Sequence, residues 1–491
     1  MNSTDRERRL LESVPRGLHV AGRWRESLTG KRFSVDDPST GATLATVADA
    51  GAADAAAALD AAAAAQPDWA ATPPRRRAEI LHRAFAAVHA RIDDFALLTT
   101  LEMGKPLAQS RAEVIYGAEY LRWFGEEAVR IDGRYTTAPD GASRLLVTSR
   151  PVGPCLLITP WNFPLAMATR KIGPAIAAGC TMILKPAELT PLTALLLTQV
   201  LIDAGLPAGV LNVIPTSSAA RTTESLFTDP RLRKLSFTGS TAVGRTLLRQ
   251  ASTTVLRTSM ELGGNAPFLV FDDADIEAAV DGAVAAKLRN MGEACTAANR
   301  FLVHEDVADV FATKLADRFA AKAVGRGTDE GIEIGPLIDE RSRDKVRALV
   351  DDAVALGATV RAGGTARPGA GWFYPPTVLT EIPSGAAVLT QEIFGPVAPV
   401  VTFRTEDEAV AAANSTPFGL AAYAYTRDLA RVIRLSERLE SGMLGINTGI
   451  VSNPAAPFGG VKQSGLGREG GSEGIDEYLD TVYVGIGHPA G

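Results

Sequence analysis

Cysteine and histidine are scarce in this sequence of 491 residues. It has five histidines and only three cysteines, Cys155, Cys180 and Cys295. Three cysteines cannot build a disulfide framework and their spacing does not match a zinc site, so we expect a reducing compartment and no metal. The histidines also bear on function, because thiol hydrolases that need no cofactor usually pair cysteine with histidine.

Long apolar runs are missing as well. The two longest uncharged runs, residues 151–169 and 441–461, are interrupted by prolines and do not resemble membrane helices. The mixed-charge N-terminus leads into no apolar core and does not look like a secretory signal. We therefore expect a cytoplasmic protein with no membrane partner.

A strong charge of either sign is also absent. The chain has 50 basic and 56 acidic residues, a net charge of −6, which gives no electrostatic reason to expect a nucleic-acid partner. With 46% hydrophobic and 22% charged residues, the composition is that of an ordinary globular protein. A chain of 491 residues is too long for one compact core, so two or more domains are expected.

Short β-rich runs alternate with helical patterns along much of the chain. Pro164 is placed to open a helix between the first two of these runs. Buried parallel strands that alternate with helices indicate an α/β fold. The expected strands are residues 155–158, 181–184, 211–214 and 234–237. The expected helices are residues 52–65, 75–100, 242–250, 276–290 and 308–323.

One stretch pairs a carboxylate, Glu261, with a thiol, Cys295, 34 residues later. A thiol attacks a carbonyl as thiolate and needs help in lowering its pKa, and a carboxylate in a partly apolar pocket can serve as a general base. Gly263 and Gly264 would let the backbone come close to a flat ring. Taken alone, however, a single cysteine is more often a small buried hydrophobic residue.

Six motifs in order resemble those of the aldehyde dehydrogenase superfamily, and the match is closest to its succinate-semialdehyde dehydrogenase branch. The resemblance covers about residues 22–483. It implies an α/β fold with a Rossmann-type cofactor domain, an α/β catalytic domain and a β oligomerisation arm. The motifs are residues 159–164 (TPWNFP), 185–188 (KPAE), 237–240 (FTGS), 261–264 (ELGG, followed by the Cys295 segment), 392–396 (EIFGP) and 457–465 (PFGGVKQSG).

The resemblance divides the chain into three parts. We expect an NAD-binding domain over residues 1–130 and 152–260 and a catalytic domain over residues 261–465. Residues 131–151 and 466–491 would supply the arm and a C-terminal tail. Pairing of the arm with another subunit would make a homodimer or homotetramer, although two ordinary edge strands within one chain remain the alternative.

The resemblance also implies a nicotinamide dinucleotide cofactor. A carboxylate at Glu188 would accept from a free 2′-hydroxyl and repel a 2′-phosphate, so we expect NAD, with NADP less favoured. The turn before residues 242–250 is not a GxGxxG motif, but a helix N-terminus there can hold a pyrophosphate. The cofactor-binding positions implied are Thr159, Pro160, Trp161, Lys185, Glu188, Gly239, Ser240, Leu262, Glu392 and Phe394.

By the same resemblance, catalysis is covalent. Cys295 would attack an aldehyde, the amide of Asn162 and the Cys295 backbone N–H would stabilise the oxyanion, and Glu261 would activate water for hydrolysis. Lys171 and Glu469 match a proton path behind the base, with an ordinary ion pair as the equal alternative. Without the resemblance, Asn162 would be taken for a helix cap.

Three positions, Arg170, Arg289 and Ser452, match those that hold a carboxylate at the far end of the substrate. A guanidinium offers paired donors that fit a carboxylate. The alternative for Arg289 is an ion pair with Asp281 or Glu293.

Two residues depart from the family pattern. Glu293 stands where many relatives have glutamine, and an inward-facing carboxylate would raise the pKa of the nearby thiol, whereas one facing solvent would not. Ala297 replaces the second cysteine with which animal members form a redox-switch disulfide, so that switch is absent.

Together these features predict NAD-dependent oxidation of succinate semialdehyde to succinate through a thiohemiacetal and a thioester. Glutarate semialdehyde, or aliphatic aldehydes in general, would be the alternative substrates. Outside this class, the chain could be a catalytically silent NAD-binding relative or a cofactor-free thiol hydrolase. The presence of Cys295, Glu261 and Asn162 argues against the first, and the lack of a matching histidine motif argues against the second.

Overall fold

The computed structural model describes residues 3–367 and 369–487. The expected domains also include residues 1–2, 368 and 488–491, which lie outside the described residues. No helix in the described ranges is long and apolar enough to cross a membrane. The α-helices are Ser3–Ser13 (α1), Ala52–Ala71 (α2), Pro74–Ala90 (α3), Ile92–Met103 (α4), Leu107–Glu127 (α5), Pro164–Ala178 (α6), Leu192–Asp203 (α7), Ala219–Thr223 (α8), Thr241–Ala251 (α9), Ile276–Leu288 (α10), Glu305–Ala320 (α11), Glu340–Ala355 (α12), Glu406–Asn414 (α13), Leu429–Arg438 (α14) and Glu473–Asp476 (α15).

Strands and short 3-10 turns complete the secondary structure. The strands are Leu18–Val20 (β1), Arg23–Arg25 (β2), Arg32–Asp36 (β3), Thr43–Ala48 (β4), Arg134–Thr137 (β5), Ser143–Pro151 (β6), Cys155–Ile158 (β7), Met182–Lys185 (β8), Leu211–Val213 (β9), Lys234–Thr238 (β10), Arg257–Glu261 (β11), Ala266–Val270 (β12), Ala298–His304 (β13), Thr359–Ala362 (β14), Thr377–Thr380 (β15), Val397–Phe403 (β16), Phe418–Gly419 (β17), Ala421–Tyr425 (β18), Met443–Ile446 (β19), Val461–Lys462 (β20), Gly465–Leu466 (β21) and Leu479–Gly487 (β22). The 3-10 turns are Glu224–Thr228, Ser252–Thr254, Arg289–Gly292 and Ala387–Leu389.

Two large sheets organise the chain. The first has eight strands in the order β2-β1-β9-β8-β7-β10-β11-β21, and β7 to β11 run parallel within it. The second has seven strands in the order β14-β15-β16-β13-β12-β18-β19, all parallel except β14. Helices pack against both sheets, so the architecture is α/β, as the alternating pattern predicts.

A separate antiparallel sheet, β22-β6-β5, stands outside the two large ones. Its strands β22 and β6 pair along nine residues each, Leu479–Gly487 with Ser143–Pro151. The described edge strands carry exposed Tyr135 and Tyr483. This sheet contains the two β-rich pieces that the sequence places outside the α/β blocks.

Several boundaries differ from the sequence predictions for identifiable reasons. The expected helix at residues 75–100 is broken at Arg91, whose φ of −114° and ψ of 26° interrupt the helical geometry. The expected helix at residues 276–290 ends at Leu288, because Arg289 has a non-helical ψ of 127°, and Asn290 and Met291 beyond it have positive φ. At the predicted domain boundary, Glu261 still pairs within the first sheet, so the join follows it.

The C-terminal boundary is also different. Strand β21, Gly465–Leu466, pairs antiparallel with β11, and the segment from there to the arm strand β22 starts in the first sheet. The division at residue 465 therefore cuts through a strand of the first sheet.

The parallel strands bring the expected site residues together at the carboxyl ends of the strands in the first sheet. Strands β7, β8, β10 and β11 end at Ile158, Lys185, Thr238 and Glu261. Ligands of α/β sheets bind at the carboxyl ends of such strands. The residues that end or follow these four strands therefore form the wall of one crevice.

Candidate active site

The loop that carries the thiol has an unusual backbone. Asn290, Met291 and Gly292 all have positive φ, at 55°, 53° and 77°, a conformation that asparagine and glycine tolerate better than methionine. A Cβ on Gly292 would lie 2.2 Å from the carbonyl oxygen of Gly395. This close approach sets the half-buried Cys295 beside the segment that contains Glu392.

Asn162 reaches this loop from the start of α6. Its side-chain Nδ2 donates to the Glu293 carbonyl at 2.9 Å. Asn290 joins both sides, because its Nδ2 donates to the carbonyls of Glu293 (2.8 Å) and Asn162 (3.0 Å). The residue at the N-cap of α6 is Phe163, and the Asn162 side chain donates to the thiol loop, so the helix-cap interpretation of Asn162 is wrong.

Glu261 lies at the end of β11 and is 3% exposed. Its Oε2 has no hydrogen-bond partner in the described part of the chain. Burial, and then the like charge of Glu469, raises the pKa of this carboxyl well above its usual range. A carboxyl group with a raised pKa suits the role of a general base near neutral pH.

Gly263 and Gly264, which follow Leu262, allow close contacts within the protein. A Cβ on Gly264 would lie 2.5 Å from the carbonyl oxygen of Cys295, and a Cβ on Gly263 would lie 2.9 Å from Oε2 of Glu392. Within the protein, the close approach of these glycines is to Cys295 and Glu392. The glycines let the base, the thiol loop and Glu392 meet at one place.

A buried charge cluster lies behind the base. Glu469 forms ion pairs with Arg170 (Nη2–Oε2 2.7 Å) and with Lys171 (Nζ–Oε1 2.5 Å). Burial opposes ionisation of Glu469, but Lys171 and Arg170 lower its pKa overall. The Lys171 ammonium also donates to the hydroxyl of Ser236 at 3.1 Å, an arrangement compatible with either an ion pair or a proton path.

The surroundings of the thiol do not lower its pKa. Burial raises the pKa of Cys295 to about 12, with Glu392 and Glu261 adding to the effect and the cations Arg170 and Arg289 opposing it. The thiol is therefore protonated at neutral pH, and its proton has to leave as it attacks.

Glu293 faces inward and is fully buried. Its Oε1 accepts from the backbone N–H of Ile338 at 3.1 Å, and burial raises the pKa of this carboxyl well above its usual range. Of the two orientations left open by the sequence, the inward one is observed. The charges that shift the pKa of the Cys295 thiol most belong to Arg170, Glu392, Glu261 and Arg289, and not to Glu293.

The residues expected at the adenosine end of the cofactor lie together. The Lys185 ammonium donates to Oε2 of Glu188 at 3.0 Å, and the Glu188 carboxylate is half exposed. Partial burial would raise the pKa of Glu188, but Lys185 lowers it overall, so the group is a carboxylate. Thr159 is buried beside them, and its backbone N–H donates to the Lys185 carbonyl at 3.2 Å.

The N-terminus of α9 is suited to binding a phosphate group. Ser240 caps α9 and follows Gly239, with its Oγ accepting from Val243 N at 3.4 Å. The first N–H groups of a helix have no partner within the helix and can bind a phosphate. Leu262 packs so close to Gly244 that a Cβ there would lie 2.5 Å from it. The donor set fits a dinucleotide pyrophosphate.

The residues expected at the nicotinamide end also come together. Glu392 Oε1 accepts from the backbone N–H of Gly264 at 3.0 Å. The ring of Phe394 meets the ring of Trp161, which follows Pro160, edge-on with centroids 5.4 Å apart. The two loops therefore enclose the space beside the thiol.

Arg289 has no ion-pair partner among the residues that the structure describes. Asp281, one alternative partner, pairs with Arg318 at 3.3 Å, and the other, Glu293, is bound elsewhere. The Arg289 guanidinium lies 5.3 Å from the ring centroid of Phe163 and donates only a long bond of 3.4 Å, to Thr296. The ion-pair alternative for this residue is therefore wrong.

Arg170 and Ser452, the other two residues expected to bind the substrate carboxylate, have different surroundings from those of Arg289. The Arg170 guanidinium stacks on Phe458 at 3.8 Å, and its Nε has no hydrogen-bond partner in the described ranges. Ser452 is half-buried in the loop after β19. Ile450, two residues earlier, lines with Arg289 a cavity of about 360 Å³.

Four side chains that the sequence does not single out support this site. Asn290 ties the thiol loop to Asn162, and the Asn290 N–H donates to Gln109 at 2.6 Å. Lys105 donates to the Asn162 carbonyl at 2.8 Å and pairs with Glu113. The motifs gave no signal for Lys105, Glu113 or Gln109, which lie far from the catalytic residues in the chain.

Comparison with known proteins settles the family. The aldehyde dehydrogenase family model matches residues 24–484. The chain belongs to the aldehyde dehydrogenase family. It is similar to a succinate-semialdehyde dehydrogenase of Paenarthrobacter nicotinovorans, with 64% identity over 91% of this chain and 99% of the relative. A glutarate-semialdehyde dehydrogenase of Pseudomonas aeruginosa is 47% identical over 96% of this chain and 97% of its own.

Solved structures agree with this assignment. The crystal structure of an NADP-dependent enzyme from Escherichia coli superposes with a TM-score of 0.95 at 48% identity, covering 96% of this chain and 98% of that one. The resemblance and the fold class expected from the sequence are confirmed. This aldehyde dehydrogenase is an NAD(P)-dependent oxidoreductase.

The pKa of Cys295 makes a direct prediction. Because the pKa is raised to about 12, the thiolate fraction, and with it the rate of alkylation by iodoacetamide, should rise roughly tenfold per pH unit between about pH 6 and pH 9 in the protein without cofactor. Peptide mass spectrometry measures the labelling. The buried Cys155 and Cys180 are internal controls that should stay unlabelled. A plateau of the Cys295 rate near pH 7 would contradict this account.

Proposed function

We propose that this aldehyde dehydrogenase oxidises succinate semialdehyde to succinate with NAD. The observation that carries the proposal is the pair of guanidinium groups, Arg170 and Arg289, whose positive charges both act on the Cys295 thiol and oppose the rise of its pKa. Aldehydes without a charge have no need of two cations at this place. A substrate with a carboxylate at its far end would use them.

Both cations have capacity to bind an anion. Arg289 has no ion-pair partner within the described ranges, and Arg170 has an Nε without a hydrogen-bond partner even though its Nη2 pairs with Glu469. Paired N–H donors of arginine match the geometry of a carboxylate. The half-buried Ser452 would add a hydroxyl donor from the loop beside the Arg289 cavity.

The attack step follows from the contacts of Asn162. One N–H of its amide donates to the Glu293 carbonyl, and the second has no partner in the described part of the chain. As the sulfur of the half-buried Cys295 attacks the aldehyde carbon, the thiol proton passes to solvent and the carbonyl electron pair moves onto oxygen. We propose that this second N–H and the backbone N–H of Cys295 bind the oxygen of the thiohemiacetal as its negative charge develops. Donors fixed in this way stabilise a tetrahedral intermediate more than the starting aldehyde.

The hydrolysis step requires the base. A bound nicotinamide dinucleotide supplies the hydride acceptor that turns the thiohemiacetal into a thioester. Glu261 would then remove a proton from water as the water attacks the thioester carbon, and succinate leaves as the thiol of Cys295 is restored. Lys171 and Glu469, in contact with one another behind the base, would carry the proton away.

The choice of cofactor rests on Glu188. Its half-exposed carboxylate lies at the end of the first sheet, where it would accept from a ribose 2′-hydroxyl and repel a 2′-phosphate. We therefore propose NAD as the preferred cofactor, although a structurally similar enzyme is named as NADP-dependent. In this proposal the first sheet binds the cofactor and the second carries the catalytic thiol.

We also propose that the arm joins subunits. Among the described residues, no further strand pairs with the outer edges of β5 and β22, and these strands carry the exposed rings of Tyr135 and Tyr483. An exposed strand edge is suited to pairing with another chain. A homodimer or homotetramer would cover it.

Glutarate semialdehyde is the second candidate substrate, because a relative of 47% identity is named for it. The assay that separates the candidates follows NADH absorbance with succinate semialdehyde, glutarate semialdehyde and butanal in parallel. The proposal expects the highest kcat/KM with succinate semialdehyde. Equal values for butanal would contradict the carboxylate site.

Substitution of the base should separate the two half-reactions. In Glu261→Gln, hydrolysis should slow more than hydride transfer, so a burst of about one NADH per active site should survive and a thioester should accumulate on Cys295. Rapid-mixing absorbance and intact-protein mass spectrometry measure these. Cys295→Ala is the control that should give neither burst nor adduct. Equal slowing of both steps without an adduct would remove Glu261 from the hydrolytic role.

Substitution at the ribose position should change cofactor choice. Glu188→Ser removes the carboxylate that would face a 2′-phosphate, so the ratio of kcat/KM with NADP to that with NAD should rise at least about tenfold. The exposed Glu437 of α14 gives the matched control, because Glu437→Ser removes the same charge far from the first sheet. An unchanged ratio in Glu188→Ser would show that this carboxylate does not face the ribose.

Substitution of Arg289 should affect charged substrates alone. A charge-assisted hydrogen bond contributes about 1.5–3 kcal/mol, so Arg289→Ala should lower kcat/KM for succinate semialdehyde by roughly ten- to a hundred-fold. The value for butanal should change little. Arg318→Ala, which removes an exposed guanidinium from α11, is the control. Equal losses for both aldehydes would assign Arg289 to support of the fold.

A further inference from the structure

A buried ion pair lies beside the backbone of Asn162. The Lys105 ammonium and the Glu113 carboxylate are 2.5 Å apart, and each side chain is 1% exposed. The same ammonium donates to the backbone carbonyl of Asn162 at 2.8 Å and lies 4.0 Å from the ring centroid of Phe163. Within the described part of the chain, every hydrogen bond, ion pair and ring contact of this ammonium is therefore with Glu113 or with the segment that carries Asn162.

The Glu113 carboxylate binds the other end of the segment that carries Asn162. Oε1 of Glu113 accepts from the backbone N–H groups of Leu165 and Ala166, at 3.0 and 3.3 Å. These are orphan donors in the first turn of α6, which has no side-chain cap of its own. Residues 162–166 are thus held through a carbonyl at one end and two N–H groups at the other.

We propose that Lys105 and Glu113 are positioning residues for the oxyanion donor: together they fix the backbone of residues 162–166, so that the Asn162 amide points at the oxygen of a substrate bound to Cys295. The proposal rests on the proposed function, in which Asn162 binds that oxygen. It goes further by assigning the accuracy of this contact to a pair that touches neither substrate nor cofactor.

The geometry favours positioning over other roles. Both groups bind the backbone of the segment and leave the Asn162 amide free to act, so their effect reaches the oxyanion only through the position of residue 162. A buried ion pair is weak evidence for stability, because desolvation offsets most of the attraction between the charges. Donors misplaced by about an ångström lose much of their catalytic effect.

The test removes both charges at once, so that no lone charge stays buried. Lys105→Met/Glu113→Gln keeps the shapes and leaves an amide oxygen to accept from Leu165 and Ala166. A matched control is Lys234→Met/Glu477→Gln. Lys234 is also buried, pairs with Glu477 at 3.4 Å and begins β10, at the edge of the first sheet opposite the crevice.

Each pair of substitutions is made in the native protein and in Asn162→Ala, and kcat/KM for succinate semialdehyde is measured. We expect the Lys105/Glu113 variant to lose about ten- to a hundred-fold in the native background but under about threefold in Asn162→Ala, because residues that act through one another are not additive. The Lys234/Glu477 variant should lose little in either background. Thermal midpoints show that each variant is folded.

A second measurement distinguishes positioning from local unfolding. The rate of iodoacetamide labelling of Cys295 does not use the Asn162 amide, so it should stay within about twofold in the Lys105/Glu113 variant if only the oxyanion contact is lost. If this variant does not fold, Glu113→Asp, which keeps both charges and shortens the carboxylate side chain, should show the same pattern with a smaller loss.

The outcomes separate the two proposals. A large effect of Asn162→Ala with independent, multiplying losses from the Lys105/Glu113 variant would overturn the positioning role and leave the proposed function standing. No effect of Asn162→Ala on kcat/KM would overturn the oxyanion role and the positioning role together. Labelling of Cys295 that changes as much as turnover would show a disturbed fold in place of a misplaced amide.

Discussion

The active site depends on the short connection between the two sheets. Strand β11 ends at Glu261 in the first sheet and β12 begins at Ala266 in the second, so only residues 262–265 join them. A Cβ on Gly264, within that connection, would lie 2.5 Å from the carbonyl oxygen of Cys295. Base and thiol thus belong to different sheets, and they meet because the chain between them has no side chain at the point of contact.

Burial and neighbouring charges shift the pKa values of the carboxyl groups in the site in opposite directions. Lys171 and Arg170 hold Glu469 ionised despite its burial. Burial together with that neighbouring charge raises the pKa of Glu261, and burial, with the like charge of Asp339, raises that of Glu293. Groups whose surroundings push their pKa values apart can take different roles at one pH. In this account one carboxylate is a fixed counter-ion and another is a proton acceptor.

Much of this arrangement could be predicted from the sequence, and the exceptions have physical causes. The motif residues lie at strand ends, and a parallel sheet brings strand ends together, so their convergence followed from the α/β pattern. The helix break at Arg91 and the positive φ of Asn290 and Met291 leave no periodic signal, because local backbone geometry there is set by tertiary contacts. The inward orientation of Glu293 could not be predicted from the sequence, because the identity of one charged residue does not show which way its side chain points.

The pairing of Lys105 with Glu113 could not be predicted from the sequence for a related reason. Charged residues are mostly exposed, so a sequence pattern favours solvent for both. Only the packing of α5 against α6 buries them together under Asn162. The resemblance to a family supplied the roles of the residues that touch ligands, whereas the structure was needed for the residues that hold those in place.

The central claim is that close backbone contact at Gly264 brings base and thiol together. The most direct measurement compares kcat/KM of Gly264→Ala with that of Gly385→Ala, where a Cβ meets nothing within 4 Å. The account predicts a loss of at least about tenfold for Gly264→Ala in a protein that still folds, and no change for Gly385→Ala. Native activity in Gly264→Ala would contradict it.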